Sequence, residues 1–472
     1  MTTARSTLDL GLSRVRDALC RLAHPERAVR VVHVAGTNGK GSTSAYLAAL
    51  LRRHYDRVGM FSSPHLVHPR DAWRINGTPA SLAQYEAARA QVMAAMPTTT
   101  APTSSVLTQF ELDFVAMLVH LRAHNVPATV IEVGVGGRED ATNVFRDTLS
   151  FTSCCTAPTT AGTVVLATVV QRVALDHVGL LGSTVPEIAA HKAGIVASSA
   201  PCLIAVQADD EALATVRAAV RAEVSAVGGN VPVRAITTVR VERRDRTVAI
   251  AAEYVDDPEQ AHRVEWTAAE SVEEEGNSAI LYGYQHRNAA AALATYDMIA
   301  PQLPPALKGR TESALDTLLQ VRIPGRLDRV TLPTETLTLV DGAHNPDGAR
   351  ALRAYLDATA SSSSSGGITW VLAATRGKDL GEMARILVLA GDRVITTAFS
   401  PVEHMPWVQS VDPAEVVAQV QKATRAVQLV GSKDRIWEVP REWVAPTPSH
   451  PRTVVAGSMY LAADVYRWIE RC

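Results

Sequence analysis

The sequence predicts an α/β protein in two domains, on three observations. The first is a strand, glycine-rich turn and helix near the start. Val31 to Val34 is a β-branched apolar run, Gly36-Thr37-Asn38-Gly39-Lys40-Gly41-Ser42 is a polar turn, and Ser44 to Leu51 is built of helix formers. The second is a repeat of that design at residues 128–144, where an apolar strand ends in Glu132 and runs into Gly134-Val135-Gly136-Gly137. The third is length: 472 residues exceed one ordinary core, and strand–helix alternation resumes past residue 322. The expected boundaries are 1–322 and 323–472.

A strand, a glycine-rich turn and a helix form the layout that cradles phosphate. Glycines let backbone N–H groups converge on the anion, the helix N-terminus adds positive potential, and Lys40 supplies a point charge. Thr37, Asn38, Gly39, Lys40, Gly41 and Ser42 are therefore the candidate nucleotide contacts. The spacing departs from G-x-x-x-x-G-K-[ST], because the outer glycine is missing and Gly41 stands between Lys40 and Ser42. A tight strand–helix turn with a solvated lysine is the bland alternative. Three glycines, a lysine and a hydroxyl in one turn after a buried strand weigh against it.

Composition narrows the class. The chain is 47% apolar, as folded domains are, and its formal net charge is −2 with no long run of one sign. That gives no electrostatic case for nucleic acid or a membrane surface. No apolar run reaches the roughly 18 residues of a membrane span, and the start lacks a secretory apolar segment. The five cysteines include no C-x-x-C pair, so neither a disulfide framework nor a cysteine zinc site is expected. A reducing, cytoplasmic setting and a monomer acting on small molecules fit best. Asp9 in the first helix is unlike a transit peptide, though a mitochondrial form stays open.

Along the chain, residues 7–15 open an amphipathic helix ending near His24-Pro25. Arg57 to Leu66 is a second strand stopping in Ser62-Ser63-Pro64-His65. In an open α/β sheet such loops face the ligand crevice. Residues 95–105 read as a loop and Thr108 to His120 as a buried helix. Glu132 is a carboxylate at an apolar strand end. A buried charge must be paired or bound to metal, and beside phosphates Mg²⁺ is the better partner. Residues 151–172, rich in Thr, Ala and Val with Cys154-Cys155, have no functional reading and look like an insertion. Asp176 and His177 are expected to close a strand. Val185 to Ala193 is a helix carrying Lys192, and Gly194 is its C-terminal stop. Ser63, Glu132 and His177 would converge at the carboxyl ends of strands in one sheet.

Residues 207–275 read as a helix followed by alternating strands, and a small-residue helix begins at Leu281. Residues 321–328, with Pro324 and Gly325, mark a domain junction. Strands then alternate with helices: Thr336 to Pro346 runs into a polar loop, Gly348 to Thr359 is a helix, Ser361 to Gly367 a linker, and strands start at Trp370, Arg393 and Thr453.

Eight segments together resemble the folylpolyglutamate synthase/dihydrofolate synthase family of the Mur-ligase superfamily. They are HVAGTNGKGST (33–43), FSSPHL (61–66), RING (74–77), EVGVGGREDATNV (132–144), LDHVGLLGSTVPEIAAHKAGI (175–195), PGRL (324–327), DGAHNPDGA (341–349) and GSMYL (457–461). The resemblance implies a P-loop NTPase-like N-terminal domain and a smaller Rossmann-like C-terminal domain, with ATP between them. It implies ATP-dependent amide formation through an acyl phosphate, with glutamate as the amine. Ser63 and Glu132 would hold one Mg²⁺ and His177 would help hold a second. Lys192 matches the family's carbamylated lysine; a bare ammonium beside two cations would be repelled. Asn288 and Arg326 match ATP contacts, and Asp341 and His344 match the C-terminal side of the nucleotide site.

Two departures stand out. Asp71-Ala72-Trp73 replaces the usual Glu-Arg-Ile before RING, which would alter a loop beside the site, and Tyr284 replaces a common histidine. Residues Thr7 to Leu10 resemble the N-terminal pterin-contacting segment of members that accept dihydropteroate. Thr7, Asp9, Phe110 and Asp140 are the implied pterin contacts. Residues 374–379 and 402–407 look like fungal dihydrofolate synthases. The resemblance thus favours joining L-glutamate to dihydropteroate over extending folate polyglutamates. A P-loop ATPase module, a cell-wall ligase and a non-catalytic folate binder are less favoured, because Lys40, Ser63, Glu132, His177 and Lys192 are all present.

Overall fold

The β-branched run forms strand β1 (Arg30–Ala35), buried at every position after the first, as a central parallel strand must be. The computed structural model describes residues 10–96, 106–146, 165–198, 200–228, 231–244, 247–256, 260–269, 283–360, 366–424 and 427–472. Two compact units emerge. The first takes Met1–His65, Arg70–Val272 and Gln285–Val321; the second takes Leu66–Pro69, Glu273–Tyr284 and Arg322–Cys472, in each case as far as these residues are described. Thr7 and Asp9 lie outside the described residues, as do Cys154 and Cys155.

In the first unit β1 is flanked by β5 (Ala128–Glu132) on one side and β6 (Val165–Val170) on the other, both parallel to it. Outward from β5 lie β2 (Val58–Phe61), β3 (Trp73–Ile75) and β4 (Thr78–Pro79). Outward from β6 lie β7 (Cys202–Ile204), β8 (Val233–Arg244), β9 (Thr247–Asp256) and β10 (Gln260–Ala269). The six neighbouring strands from β8 to β2 run parallel, so the carboxyl ends of β2, β5, β1 and β6 share one edge.

Helices α1 (Ser13–Arg21), α2 (Lys40–Leu51), α3 (Leu82–Ala95), α4 (Gln109–Ala123), α5 (Val185–Ala193), α6 (Asp210–Val227), α7 (Gln285–Ile299) and α8 (Ala314–Leu319) complete this unit. Reciprocal capping boxes start α3 (Ser81/Gln84), α4 (Thr108/Glu111), α5 (Thr184/Glu187) and α8 (Ser313/Asp316). Each closes two N–H groups that a helix start leaves open. In α7, Ala289 to Ala294 are all buried; such short side chains let neighbouring elements approach closely.

Three expectations are corrected here. The stretch 151–172 is not simply an insertion: its C-terminal end is β6, hydrogen-bonded directly beside β1. Asp176 and His177 do not close a strand, since β6 ends at Val170 and both sit on the loop that follows. The Asp71-Ala72-Trp73 departure does not leave a simple loop. Pro69–Ala72 is a 3-10 turn, and Trp73 is fully buried in β3 against the rings of Tyr85 and His120.

The second unit is a six-stranded sheet in the order β11 (Asp328–Thr331), β12 (Leu337–Val340), β16 (Arg452–Ala456), β13 (Ile368–Leu372), β14 (Arg393–Thr397) and β15 (Gln428–Lys433). All neighbours are parallel except β11 with β12. Its helices are α9 (Pro346–Ala358), α10 (Leu380–Leu387), α11 (Pro413–Ala423), α12 (Arg441–Val444) and α13 (Met459–Arg471). Two apolar clusters, one around Trp370 and Leu352 and one around Val371 and Leu461, form its core. Among the described residues no helix is long and apolar enough to cross a membrane.

Candidate active site

The glycine-rich loop hangs between β1 and α2 and is gripped from the β6 side. Thr37 N–H donates to Arg172 O (2.8 Å), and Thr37 Oγ1 donates to Ala174 O (3.0 Å) while accepting from Ala174 N–H (3.1 Å). Gly39 has φ +93°, a left-handed conformation that glycine adopts without strain. A Cβ there would also stand 2.5 Å from Asn288 Oδ1 on α7. Asn288 is fixed in turn, because its Nδ2 donates to Gln285 Oε1 (3.1 Å), which also accepts from Tyr46 O–H (3.2 Å). Gly39→Ala should thus cost about 1–2 kcal/mol in loop conformation. The expected result is roughly tenfold weaker ATP binding by calorimetry; unchanged affinity would mean that the loop does not carry the nucleotide.

Lys40 opens α2, and its Nζ donates back to Thr37 O (3.2 Å), so the ammonium lies over the loop. Two buried glutamines that sequence reading missed support the loop, Gln171 directly and Gln207 through the segment that follows β6. Gln171, directly after β6, is buried and its Nε2 donates to Thr43 Oγ1 (2.8 Å). Its Cβ lies where a side chain at Gly36 would be, 2.5 Å away. Gln207, also buried, accepts from Val173 N–H (2.9 Å) and donates to Ala205 O (2.7 Å). The available signal was a glutamine ending an apolar run, since a buried amide needs a partner.

Glu132 sits at the carboxyl end of β5, 5% exposed, in register with Val34 of β1. Its Oε2 accepts from Ser63 N–H at 3.4 Å and would be 3.2 Å from a Cβ on Gly41. The structure therefore brings Ser63, Glu132 and the start of α2 together. His177 has φ +52° and a side chain 38% exposed, with its own amide donating to Asp176 Oδ1 (2.9 Å). Among the described residues no three His, Cys, Asp or Glu side chains group closely enough to hold a metal by themselves. A Mg²⁺ site needs no such cage, because it takes one or two carboxylates and completes its shell with phosphates and water.

Lys192 is 2% exposed at the last turn of α5, and its Nζ donates to Gly36 O (2.8 Å). Burial, with the nearby Lys40 charge, pushes the amine down to about 7; Asp176 and Asp140 pull the other way. Gly194 does follow α5, but with φ −59° it is not a left-handed cap. It is small because Arg138 crosses it, 2.5 Å from where a Cβ would stand. The 134–146 loop closes that helix end: Arg138 N–H donates to His191 O (2.8 Å), and Asn143 Nδ2 (3.0 Å) and Arg146 Nη1 (2.9 Å) donate to Gly194 O. Buried Glu223 of α6 pairs with both arginines.

Of the implied pterin residues that the structure describes, Asp140 is buried and Phe110 half-buried. Asp140 is 2% exposed, accepting from Val135 N–H (2.8 Å), Thr142 N–H (3.0 Å) and Thr142 O–H (2.5 Å), and burial raises its carboxyl above the ordinary value. Phe110 packs on Phe61, ring centroids 5.7 Å apart. Glu111, beside it, is buried against Arg14 of α1 (2.8 Å).

In the second unit Asp341 follows β12 and ties three loops. It accepts from Tyr284 O–H (2.5 Å), Leu327 N–H (2.8 Å) and Ala343 N–H (2.9 Å). Burial raises its carboxyl, with the Arg326 guanidinium opposing. Tyr284, the residue that replaces a common histidine, is thus a hydrogen-bond donor to this hub. Gly342 N–H donates to Gly325 O (2.8 Å), joining the two motif loops. His344 Nδ1 donates to Gly342 O (2.8 Å), which leaves Nε2 as the acceptor nitrogen of the neutral ring.

A glycine-rich loop at the carboxyl edge of a parallel sheet, a buried carboxylate beside it, and a second α/β sheet make up a Mur ligase-like fold. A family model described as Dihydrofolate synthetase, C-terminal domain matches residues 328–468. Dihydrofolate synthetase of Saccharomyces cerevisiae is 29% identical over 468 residues, covering 98% of each chain. Probable dihydrofolate synthetase of Schizosaccharomyces pombe is 28% identical over 471 residues, covering 98% of this chain and 99% of that one. Among solved structures, Escherichia coli FolC in complex with DHPP and ADP superposes with a TM-score of 0.72 at 23% identity, covering 99% and 95% of the two chains. Over nearly its full length the chain is thus similar to proteins of the folylpolyglutamate synthase/dihydrofolate synthase family.

Proposed function

We propose that this protein is an ATP-dependent ligase that joins L-glutamate to 7,8-dihydropteroate, forming dihydrofolate. The observation that carries the reading is the edge where the phosphate loop, Glu132 and Lys192 meet. The full-length similarity to two proteins named dihydrofolate synthetase supports it.

In this reading the loop amides from Thr37 to Ser42 and the Lys40 ammonium hold the ATP phosphates. They stabilise the charge that shifts as the pterin carboxylate attacks the γ-phosphorus. That step makes an acyl phosphate and releases ADP. The glutamate amine then attacks the acyl carbon, inorganic phosphate leaves, and the amine proton passes to solvent or a base. Ser63 and Glu132 would hold one Mg²⁺, and His177 would help hold a second; the ions would neutralise phosphoryl charge. Asn288 contacts the nucleotide from α7, and in the second unit Arg326, Asp341 and His344 take the nucleotide and catalytic roles.

Lys192 suits carbamylation. Burial that pushes the amine down to about 7 gives it a neutral fraction near physiological pH, so it can attack carbon dioxide, lose a proton and become an anionic carbamate. Conversion from a cation to an anion would relieve its repulsion from Lys40. Thr7, Asp9, Phe110 and Asp140 keep their assignment to the pterin end. For Asp140 the role is indirect, through the loop conformation that its saturated carboxylate fixes. The chain acts as a monomer in the cytoplasm.

The test is a substrate comparison with purified protein, ATP, Mg²⁺ and glutamate, following ADP and the pterin product. Turnover with 7,8-dihydropteroate is expected. Turnover with tetrahydrofolate alone would overturn the assignment in favour of a folylpolyglutamate synthase, and turnover with both would make the enzyme bifunctional.

A further inference from the structure

The roles above leave the RING segment (74–77) unused, and its first residue is a half-buried arginine on β3. The buried Nε of Arg74 meets no hydrogen-bond partner among the described residues. Burial lowers the basicity of Arg74, against the charges of Asp71 and Glu132. A guanidinium stays protonated all the same. A buried cation is costly unless an anion pairs with it, so Arg74 marks a place for one.

Strand pairing fixes the face it occupies. β3 runs antiparallel to β2, with Trp73 opposite Phe61 and Arg74 opposite Met60. Residues directly opposite share a face of the sheet, and successive residues alternate. Phe61 packs on Phe110 and Phe114 of α4, and Trp73 on Tyr85 and His120, so this pair faces α3 and α4. Arg74 and Met60 therefore lie on the other face. Met60 is in register with Val130 of β5, which puts Glu132, two residues on, on that face too. There Glu132 stands against the start of α2. The intervening loop is bonded to both places: Ser62 N–H donates to Ala72 O (3.0 Å), just before β3, and Ser63 N–H to Glu132 Oε2 (3.4 Å).

Three anionic groups enter the proposed reaction. The ATP phosphates belong to the loop after β1, three strand spacings or about 14 Å from β3. The pterin end is assigned to Phe110 and Asp140, and Phe110 lies on the opposite face, against Phe61. The carboxylates of L-glutamate remain, and they pass through amide formation unreacted. A guanidinium fork holds a carboxylate by two parallel hydrogen bonds. We propose that Arg74 binds a carboxylate of the incoming L-glutamate and so holds its amine beside the acyl carbon. The assignment rests on the ligase reading.

The test compares wild type with Arg74→Gln and Arg74→Lys, using ATP, Mg²⁺ and 7,8-dihydropteroate with either L-glutamate or hydroxylamine as the amine. Hydroxylamine is small and uncharged. It attacks the acyl carbon of the acyl phosphate, inorganic phosphate leaves and a hydroxamate forms, with no carboxylate to be held. In Arg74→Gln the KM for glutamate is expected to rise at least tenfold. The KM values for ATP and dihydropteroate, and the rate of hydroxamate formation, should stay within twofold. Arg74→Lys keeps the charge and loses the fork, so its KM should fall between. A role in packing alone would slow both amines alike. An unchanged KM for glutamate in Arg74→Gln, or an equal loss with hydroxylamine, would overturn the assignment. A wild-type protein that forms neither dihydrofolate nor hydroxamate would overturn the ligase reading, and this assignment with it.

Discussion

Lys40→Ala abolishes measurable ligation while leaving the fold in place: that is the largest single effect expected. Lys40 Nζ makes one local contact, to Thr37 O, so its removal takes little from stability. In circular dichroism melts the variant should stay within about 0.5 kcal/mol of wild type. The lost charge is another matter. Removing one preorganised cation from a site where anionic charge develops costs about 10²–10³-fold in kcat, and Lys40 is the cation of the loop itself. Initial rates with dihydropteroate, ATP and glutamate check this. A rate within tenfold of wild type would remove the phosphate-loop assignment.

The second large effect concerns Lys192. Lys192→Met keeps the bulk of the side chain and removes the amine, and activity should fall at least 10²-fold. Lys192→Ala leaves room for a small anion, so acetate or a similar short carboxylate should restore part of the rate. Full activity in Lys192→Met would exclude a role for the modified amine.

Stability supplies an independent check in carbon dioxide-depleted buffer. An unfolded lysine keeps its proton up to its model value of 10.5, whereas buried Lys192 gives its proton up near 7. Between those values the unfolded chain binds more protons, so stability rises with pH across the window. The penalty for burying the charge is fully present below about 7 and is relieved as pH climbs. Urea midpoints at pH 6.5 and 9 should differ for wild type and converge in Lys192→Met. Equal slopes in the two proteins would show that the buried amine does not titrate there.

The features visible in the sequence were those that local chemistry dictates. The helix Val185 to Ala193 and the glycine that follows it were legible, and the structure keeps these bounds. The run Val31 to Val34 and the carboxylate ending Ala128–Glu132 were legible because a central parallel strand must be apolar throughout. Strand β6 was missed for the opposite reason. Thr, Ala and Val run on both sides of its N-terminal bound, and pairing with β1 singles out Val165–Val170. The loop carrying Asp176 and His177 was read as strand because Gln171 did not register as its end.

Gly194 was placed correctly and explained wrongly: its smallness answers a long-range crossing by Arg138, which no local pattern encodes. The same limit hid Glu223, whose partners Arg138 and Arg146 lie far away in the chain. The geometry brings Ser63 to Glu132, and His177 stands on its own loop beside Asp176.

The position of α7 has a consequence for how the molecule is made. Its buried alanines and Asn288 are part of the first unit's interior, yet they follow a stretch, up to Tyr284, that belongs to the second. On a ribosome, β1, the glycine turn and α2 emerge some 250 residues before the helix that fixes Gly39. The loop is therefore synthesised well before it can acquire its final shape. Nascent chains halted before residue 285 cannot hold the loop as the finished protein does, so nucleotide can stabilise only a polypeptide whose translation has passed α7.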